Sequence, residues 1–280
     1  MFIGLDLGTS GLKAVLVDDA QAILAEATAP LEVARPALGW SEQAPASWLD
    51  AADAVMQSLA AQVSLASVRG IGLSGQMHGA TLLDANDDVL RPCILWNDTR
   101  SAVEAAELDA DPKFRALTGN IVFPGFTAPK LLWVARHEPD LFAKLARVLL
   151  PKDYLRLWLT GEAVAEMSDA AGTSWLDVGK RDWSDDLLAA TGMTRAQMPR
   201  LVEGWDVSGQ VRDALAERWG LPKGVVVAGG GGDNAAMVLR YLTKFSSGEW
   251  RKQCFLRFLV RGIRPKQANT IFSIILYCIF

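Results

Sequence analysis

The chain has little cysteine and little histidine among its 280 residues. The cysteines are Cys93, Cys254 and Cys278, and the histidines are His78 and His137. None of them shows paired or metal-ligand spacing. The sequence therefore gives no sign of a disulfide framework or a histidine-rich metal site, and we predict a protein of the reducing cytoplasm.

The chain also has a small net charge and lacks long apolar segments near its start. The formal net charge is −4, which gives no electrostatic basis for binding nucleic acid. The first residues, MFIGLDLGTS, contain neither a basic segment nor an uninterrupted apolar stretch, so no signal peptide is predicted. With 50% apolar and 21% charged residues, the composition is that of a globular protein, and no membrane partner is expected.

Apolar periodicity predicts an α/β fold with a mixed β-sheet and helices. The predicted strands are 2–6, 12–18, 23–27, 68–74 and 225–227, with a strand pair at 80–84 and 93–96. The predicted helices are 43–65, 99–108, 128–137 and 153–159.

Four consecutive glycines, 229–232, follow the last predicted strand and lead into Asp233 and Asn234. Glycine admits backbone angles that other residues avoid and lets a ligand approach the main chain closely. A carboxylate beside an amide suits a general base held against a sugar hydroxyl. The alternative is a flexible turn capped by Asp233.

A second motif lies between the first two predicted strands. Asp6 ends one strand, and the turn Gly8-Thr9-Ser10 leads into the next. Such a turn can present N–H groups and hydroxyls to phosphate, and the carboxylate can hold Mg²⁺. The alternative is an ordinary hairpin; no P-loop pattern occurs.

Two further segments carry polar and aromatic side chains. In the loop Gln76–Gly79, His78 can donate to or accept from a sugar hydroxyl, with Met77 closing an apolar side; the alternative is a purely structural histidine. In 95–100, Trp96 beside Asn, Asp and Arg suits polyol recognition. Asp98 is alternatively the N-cap of the following helix.

Together with the segment Gly125–His137, in which Lys130 and Trp133 have the expected spacing, these motifs resemble the FGGY family of carbohydrate kinases. Within that family, segments 76–79, 150–155 and 168–173 are most similar to bacterial members that act on D-xylulose. The resemblance runs from residue 1 to residue 236.

The resemblance implies an actin-like, ribonuclease-H-like ATPase fold with a mixed β-sheet flanked by helices. It implies the reaction ATP + D-xylulose → ADP + D-xylulose 5-phosphate with Mg²⁺, with glycerol, ribulose or gluconate as alternative substrates. A homodimer is an option for full-length members. The implied roles are catalytic base for Asp233, sugar contacts for Met77, His78, Asp233 and Asn234, phosphate binding for Gly8, Thr9 and Ser10, and metal binding for Asp6.

The composition changes at Met237. From there on, eight basic residues and one acidic residue give +7, whereas the preceding residues carry −11. We expect 1–236 to be the sugar-binding N-terminal domain. We expect 237–280 to be a divergent tail, from a frameshift or truncation, that replaces the nucleotide-binding domain; an alternative C-terminal module is the competing interpretation.

The end of this tail, 271–280, is largely apolar but about half the length that spans a bilayer as a helix. We interpret it as an aggregation-prone end, with contact to an anionic membrane surface as the alternative. A sugar-binding remnant without catalysis is accordingly the second functional hypothesis.

Overall fold

The structure, a computed structural model, describes residues 1–234. Its strands are β1 (Phe2–Leu7), β2 (Gly11–Val17), β3 (Ile23–Pro30), β4 (Glu42–Gln43), β5 (Gly70–Gly75), β6 (Thr81–Leu83), β7 (Cys93–Ile94), β8 (Arg147–Leu149), β9 (Val164–Glu166), β10 (Leu176–Asp177), β11 (Asp182–Trp183), β12 (Arg200–Val202), β13 (Val207–Gln210), β14 (Val226–Ala228) and β15 (Gly231–Gly232). Its helices are α1 (Pro45–Gln62), α2 (Ala102–Ala110), α3 (Pro112–Thr118), α4 (Thr127–His137), α5 (Pro139–Phe142), α6 (Pro151–Thr160), α7 (Met167–Ala170), α8 (Asp185–Ala189) and α9 (Asp213–Trp219), with 3₁₀ turns at Ala171–Thr173 and Arg195–Gln197. The predicted domain end at 236 and the tail 237–280 lie outside the described residues.

The main sheet is mixed, as predicted. Its strand order is β13-β14-β5-β1-β2-β3, and β15 also pairs with β5. Strands β1, β14 and β15 run parallel to β5, whereas β1–β2, β2–β3 and β13–β14 are antiparallel. Strands β1 and β5 are buried along almost their whole length, which explains their near-continuous apolar and glycine sequences.

Helix α1 covers β2 and β3 with one apolar face. The residues whose spacing predicted a helix here are all buried: Trp48, Ala52, Val55, Met56 and Leu59. Proline at the start of α1 has no N–H to leave unpaired, so the helix begins at Pro45 rather than at residue 43. Burial of each large apolar side chain stabilises the fold by about 1.5–3 kcal/mol.

A second apolar core lies around helices α2, α4 and α8. It includes Leu131 and Val134 of α4, Leu187 of α8 and the fully buried Trp175. This core fixes α4, which carries the segment that resembles the family signature. No helix within residues 1–234 has the length and apolarity needed to cross a bilayer.

Two sequence predictions need correction. The predicted pair 80–84 and 93–96 meets only at an Ala80–Ile94 bridge, because β6 pairs with β8 and β7 pairs with β4. Helix α2 begins at Ala102 rather than at residue 99, with Ser101 at its N-cap position, so Asp98 is not the cap.

The register of the sheet brings the ends of three strands together. Asp6 of β1 lies opposite Ser74 of β5, and Gly231 of β15 lies opposite the same serine. Because parallel strands end at one edge of a sheet, the residues that follow β5 and β15 emerge beside Asp6. This edge carries the candidate site.

Candidate active site

The glycine run is a tightly packed interruption of a strand and not a flexible turn. Strands β14 and β15 lie along the same edge of β5, and the chain leaves and rejoins that edge between them. At Gly230, φ is +85°, and a Cβ atom would lie 2.3 Å from the Leu73 carbonyl oxygen. Any other residue would displace β15 from β5 and move the carboxylate that follows it.

Asp233 emerges half-buried directly after β15. The N–H of Asn234 donates to Asp233 Oδ1 at 2.7 Å, and the Asn234 side-chain amide reaches the sulfur of Met77 at 3.9 Å. Burial raises the pKa of Asp233, although the Asn234 hydrogen bond opposes the shift. The sequence-predicted residues Met77, Asp233 and Asn234 are therefore brought together.

Asp6 is a second carboxylate at the same edge, close enough to Asp233 for their charges to interact. Burial raises the pKa of Asp6 to about 6; the Ser74 hydroxyl opposes the shift, the charge of Asp233 adds to it, and Lys13 opposes it weakly. Asp6 Oδ1 is buried and has no hydrogen-bond partner. An unpartnered carboxylate oxygen of this kind is suited to a cation. No cluster of three or more His, Cys, Asp or Glu side chains that could hold a metal occurs in the described part of the chain.

The first turn is held in place by Thr9. The Thr9 hydroxyl donates to Gln76 Oε1 at 3.0 Å and accepts from Trp96 Nε1 at 3.0 Å. The Thr9 carbonyl accepts from Gln43 Nε2 at 2.7 Å. Since the only hydroxyl proton is committed to Gln76, Thr9 can offer a phosphate its main-chain N–H but not its hydroxyl.

His78 follows the end of β5 in a left-handed backbone conformation, with φ of +66°. Its ring stacks on Phe126 with centroids 4.6 Å apart, and its Nδ1 lies 2.7 Å from the Gly172 carbonyl oxygen. Burial lowers the pKa of His78 to about 4, with the charge of Lys130 adding to the effect and the Gly172 hydrogen bond opposing it. The histidine is therefore neutral near pH 7.

The segment 125–137 supports the histidine from behind. Lys130 is fully buried, and its Nζ donates to the carbonyls of His78 at 2.8 Å and Gly125 at 2.7 Å. The Thr127 hydroxyl also donates to the His78 carbonyl, at 3.2 Å. Trp133 of the same helix packs edge-on against Trp40. The lysine thus anchors the main chain of the loop Gln76–Gly79.

A buried ionic cluster holds the glycine run from the other side. Arg156 donates to the carbonyls of Ala228 at 2.6 Å and Gly229 at 2.5 Å. Lys152 Nζ lies 2.7 Å from Asp153 Oδ1 and 3.1 Å from Asp169 Oδ2. Glu166, almost fully buried, accepts hydrogen bonds from the N–H and the hydroxyl of Ser168, and Ser168 Oγ in turn accepts the Gly232 N–H at 3.3 Å.

The sequence reasoning missed this cluster. Lys152, Asp153 and Arg156 recur at helical spacing on α6, but charged residues at that spacing usually indicate a solvated face. Their complete burial is the reverse of that expectation. The signal that could have indicated burial was the presence of both positive and negative charges in an otherwise apolar helix.

The segment 95–100 contributes one side chain to the edge. Trp96 is half-exposed and contacts Thr9, as described above. Asp98 is buried and accepts from the Ser41 N–H at 2.6 Å and from Arg100, whose guanidinium stacks over Trp40. Asp98 and Arg100 therefore support this loop, and Trp96 is the side chain of the segment that contacts the first turn.

Comparison with known proteins assigns the chain to a family. Residues 1–239 match the N-terminal domain of the FGGY family of carbohydrate kinases. A xylulose kinase of Klebsiella pneumoniae is 56% identical over 237 residues, which cover 84% of this chain and 49% of that protein. The chain spans about half the length of the curated relatives it matches.

Solved structures agree with this assignment. A crystal structure described as a xyloylose kinase from Brucella ovis is 64% identical, with a TM-score of 0.82 over 84% of this chain and 49% of that one. A xylulose kinase from Rhodospirillum rubrum is 35% identical, with a TM-score of 0.81 over 85% of this chain and 50% of that one. The mixed sheet flanked by helices is the actin-like ATPase fold, as predicted. The chain belongs to the FGGY family of carbohydrate kinases.

Proposed function

We propose that this chain provides the sugar-binding, base-bearing half of a cytoplasmic kinase that transfers the γ-phosphate of ATP to D-xylulose. The observation that carries the proposal is the meeting of Asp233, Asp6 and the Met77-His78 loop at one edge of the sheet. The similarity to three xylulose kinases at 35–64% identity supports D-xylulose over glycerol, ribulose or gluconate.

Asp233 is the proposed base. Its carboxylate takes the proton of the sugar hydroxyl as that oxygen attacks the γ-phosphorus, and the ADP oxygen leaves. The raised pKa of Asp233 makes it a better proton acceptor near neutral pH than an exposed carboxylate. Met77, His78 and Asn234 orient the sugar, and positioning of this kind supplies much of the rate in phosphoryl transfer.

Asp6 and the first turn would face the phosphates. The buried, unpartnered Oδ1 of Asp6 fits a Mg²⁺ ion, which prefers oxygen ligands and is commonly held by one or two carboxylates together with water and phosphate. When bound, the ion supplies neutralisation of phosphate charge. The N–H groups of Gly8, Thr9 and Ser10 are the proposed phosphate donors.

Calorimetric titration of the purified 280-residue chain tests the sugar assignment. We expect D-xylulose to bind more tightly than glycerol, ribulose or gluconate, and His137→Gln to leave that affinity unchanged because His137 stacks on Trp133 at the far end of α4. Tighter binding of glycerol than of D-xylulose would contradict the proposal.

A chimera tests the transfer step. Residues 1–236 joined to the remaining half of the Klebsiella pneumoniae relative should phosphorylate D-xylulose, and the same chimera with Asp233→Ala should not. An active Asp233→Ala chimera would move the role of base to another residue.

The second candidate function is sugar binding without phosphorylation. It is favoured by the contact of Asn234 with Met77, which brings two residues with proposed sugar contacts together within residues 1–234. Phosphoryl transfer needs both substrates aligned, and lost alignment can be worth about 7–11 kcal/mol. We therefore expect the 280-residue chain to bind D-xylulose and to show essentially no ADP release with Mg·ATP; turnover at ordinary rates would contradict this expectation.

A further inference from the structure

The contact between His78 and Gly172 fixes the position of a proton. His78 Nδ1 lies 2.7 Å from the Gly172 carbonyl oxygen. A carbonyl oxygen can only accept a hydrogen bond, so Nδ1 must carry the hydrogen. The other ring nitrogen, Nε2, has no hydrogen-bond partner among residues 1–234.

The surroundings of the ring keep it uncharged. One face stacks on Phe126, and His78 is part-buried. Lys130 Nζ binds the carbonyl of His78 itself. Burial lowers the pKa of Lys130 to about 7, and its protonated form disfavours a second positive charge on the ring. A neutral ring with its hydrogen on Nδ1 has a lone pair on Nε2.

Gly172 has no room for a side chain. A Cβ atom at this position would lie 2.5 Å from His78 Cε1 and 3.1 Å from Met77 Cε. The absence of a side chain therefore lets the Gly172 carbonyl approach Nδ1 while the ring keeps its stacking on Phe126.

We propose that the Gly172 carbonyl makes His78 an obligatory hydrogen-bond acceptor at Nε2, so that the ligand must present a donating hydroxyl there. This inference rests on the proposed function and deepens it. Asp233 is also an acceptor, so the site selects a polyol that donates two hydroxyl protons, one to each group. A ligand with an ether oxygen, a fluorine or a carbonyl at the His78 position leaves the lone pair unpaired and binds less well.

Nitrogen NMR of the ¹⁵N-labelled 280-residue chain tests the tautomer directly. Long-range ¹H–¹⁵N correlations at pH 7 distinguish a protonated from an unprotonated ring nitrogen. Only two histidines are present, so His137→Gln assigns the signals of His78. We expect hydrogen on Nδ1 and none on Nε2; hydrogen on Nε2 would overturn the inference.

Fluorinated sugars test the consequence for binding. In a set of D-xylulose derivatives with one hydroxyl each replaced by fluorine, we expect one position, besides the phosphorylated one, to lose about tenfold in affinity. That penalty should persist in His137→Gln and disappear in His78→Ala. If circular dichroism shows that His78→Ala is unfolded, Gly172→Ala, which displaces the ring, should remove the same penalty.

The NMR experiment and the fluorinated-sugar titrations distinguish failure of this inference from failure of the proposed function. An equal penalty in the parent and His78→Ala, or in the parent and Gly172→Ala, would overturn the inference while leaving sugar binding intact. Absence of any D-xylulose binding would overturn the proposed function, and the NMR spectrum would still decide the tautomer on its own.

Discussion

Replacing Asp6 by asparagine should stabilise the protein at neutral pH. In the folded state burial raises the pKa of Asp6 from 3.8 to about 6. A carboxyl group whose pKa is raised by folding binds its proton more tightly in the folded state. Its stabilising contribution is therefore complete below about pH 4 and is lost as the pH rises through 6.

The magnitude follows from the same values. The rise in the pKa of Asp6 from 3.8 to about 6 corresponds to a free energy of about 3 kcal/mol, because one pKa unit is worth about 1.4 kcal/mol. At pH 7.5 the ionised Asp6 therefore lowers the free energy of unfolding by up to about 3 kcal/mol. The raised pKa of about 6 already reflects the attraction between Asp6 and Lys13. An asparagine side chain cannot ionise, so Asp6→Asn should recover most of this energy.

Urea unfolding followed by circular dichroism measures the effect. We expect Asp6→Asn to raise the free energy of unfolding of the 280-residue chain by about 2–3 kcal/mol at pH 7.5 and by much less at pH 4. Asp50→Asn, on the exposed side of α1, is the matched control and should change little at either pH. A parent that is as stable as Asp6→Asn at pH 7.5, or a difference that persists at pH 4, would refute the reasoning.

Three further substitutions test other parts of the site. Asp233→Ala in the chimera should lower the rate of ADP release at least 10²–10⁴-fold, roughly the value of general-base catalysis, while calorimetry shows D-xylulose affinity within about threefold; residual activity within tenfold of the parent would contradict the role of base. Gly230→Ala should lower the free energy of unfolding by about 1–3 kcal/mol in urea, because of its positive φ and the clash with Leu73; an unchanged midpoint would contradict the packing argument. Lys130→Met should weaken D-xylulose binding about tenfold in calorimetry, because the His78 carbonyl loses its Nζ donor; unchanged affinity would show that the lysine does not position the histidine.

Much of the sheet could be predicted from the sequence. Strands β1, β2 and β5 are runs of apolar and small residues with glycine-rich ends. Such runs are typical of buried strands, so they could be recognised without knowledge of their partners. No strand was predicted at β15, so Asp233 was placed in a glycine loop; its position after the glycines, and that of Asp6 at the end of the first strand, followed from the sequence. Their proximity did not, because it depends on β15 pairing with β5 and not with a strand nearby in sequence.

The network beneath the site could not be predicted in the same way. Periodicity measures where apolar side chains recur, whereas Lys152 and Arg156 are buried by their ion pairs and by main-chain acceptors far along the chain. The alternative that Asp98 caps a helix failed for a related reason. Its carboxylate is used by the Ser41 N–H, 57 residues earlier, and that long-range partner leaves no local trace in the sequence.

The contacts that secure Asp233 span long stretches of chain, and this has a consequence for the order of assembly. Asn234 reaches Met77 across 157 residues, and Arg156 reaches Gly229 across 73. Closing such loops costs more entropy and time than forming the neighbouring β1–β2 hairpin. During synthesis the first turn, the loop Gln76–Gly79 and α4 leave the ribosome well before β15 exists. A growing chain is therefore expected to complete the loop Gln76–Gly79 first, and to add the proposed base Asp233 together with Asn234 last.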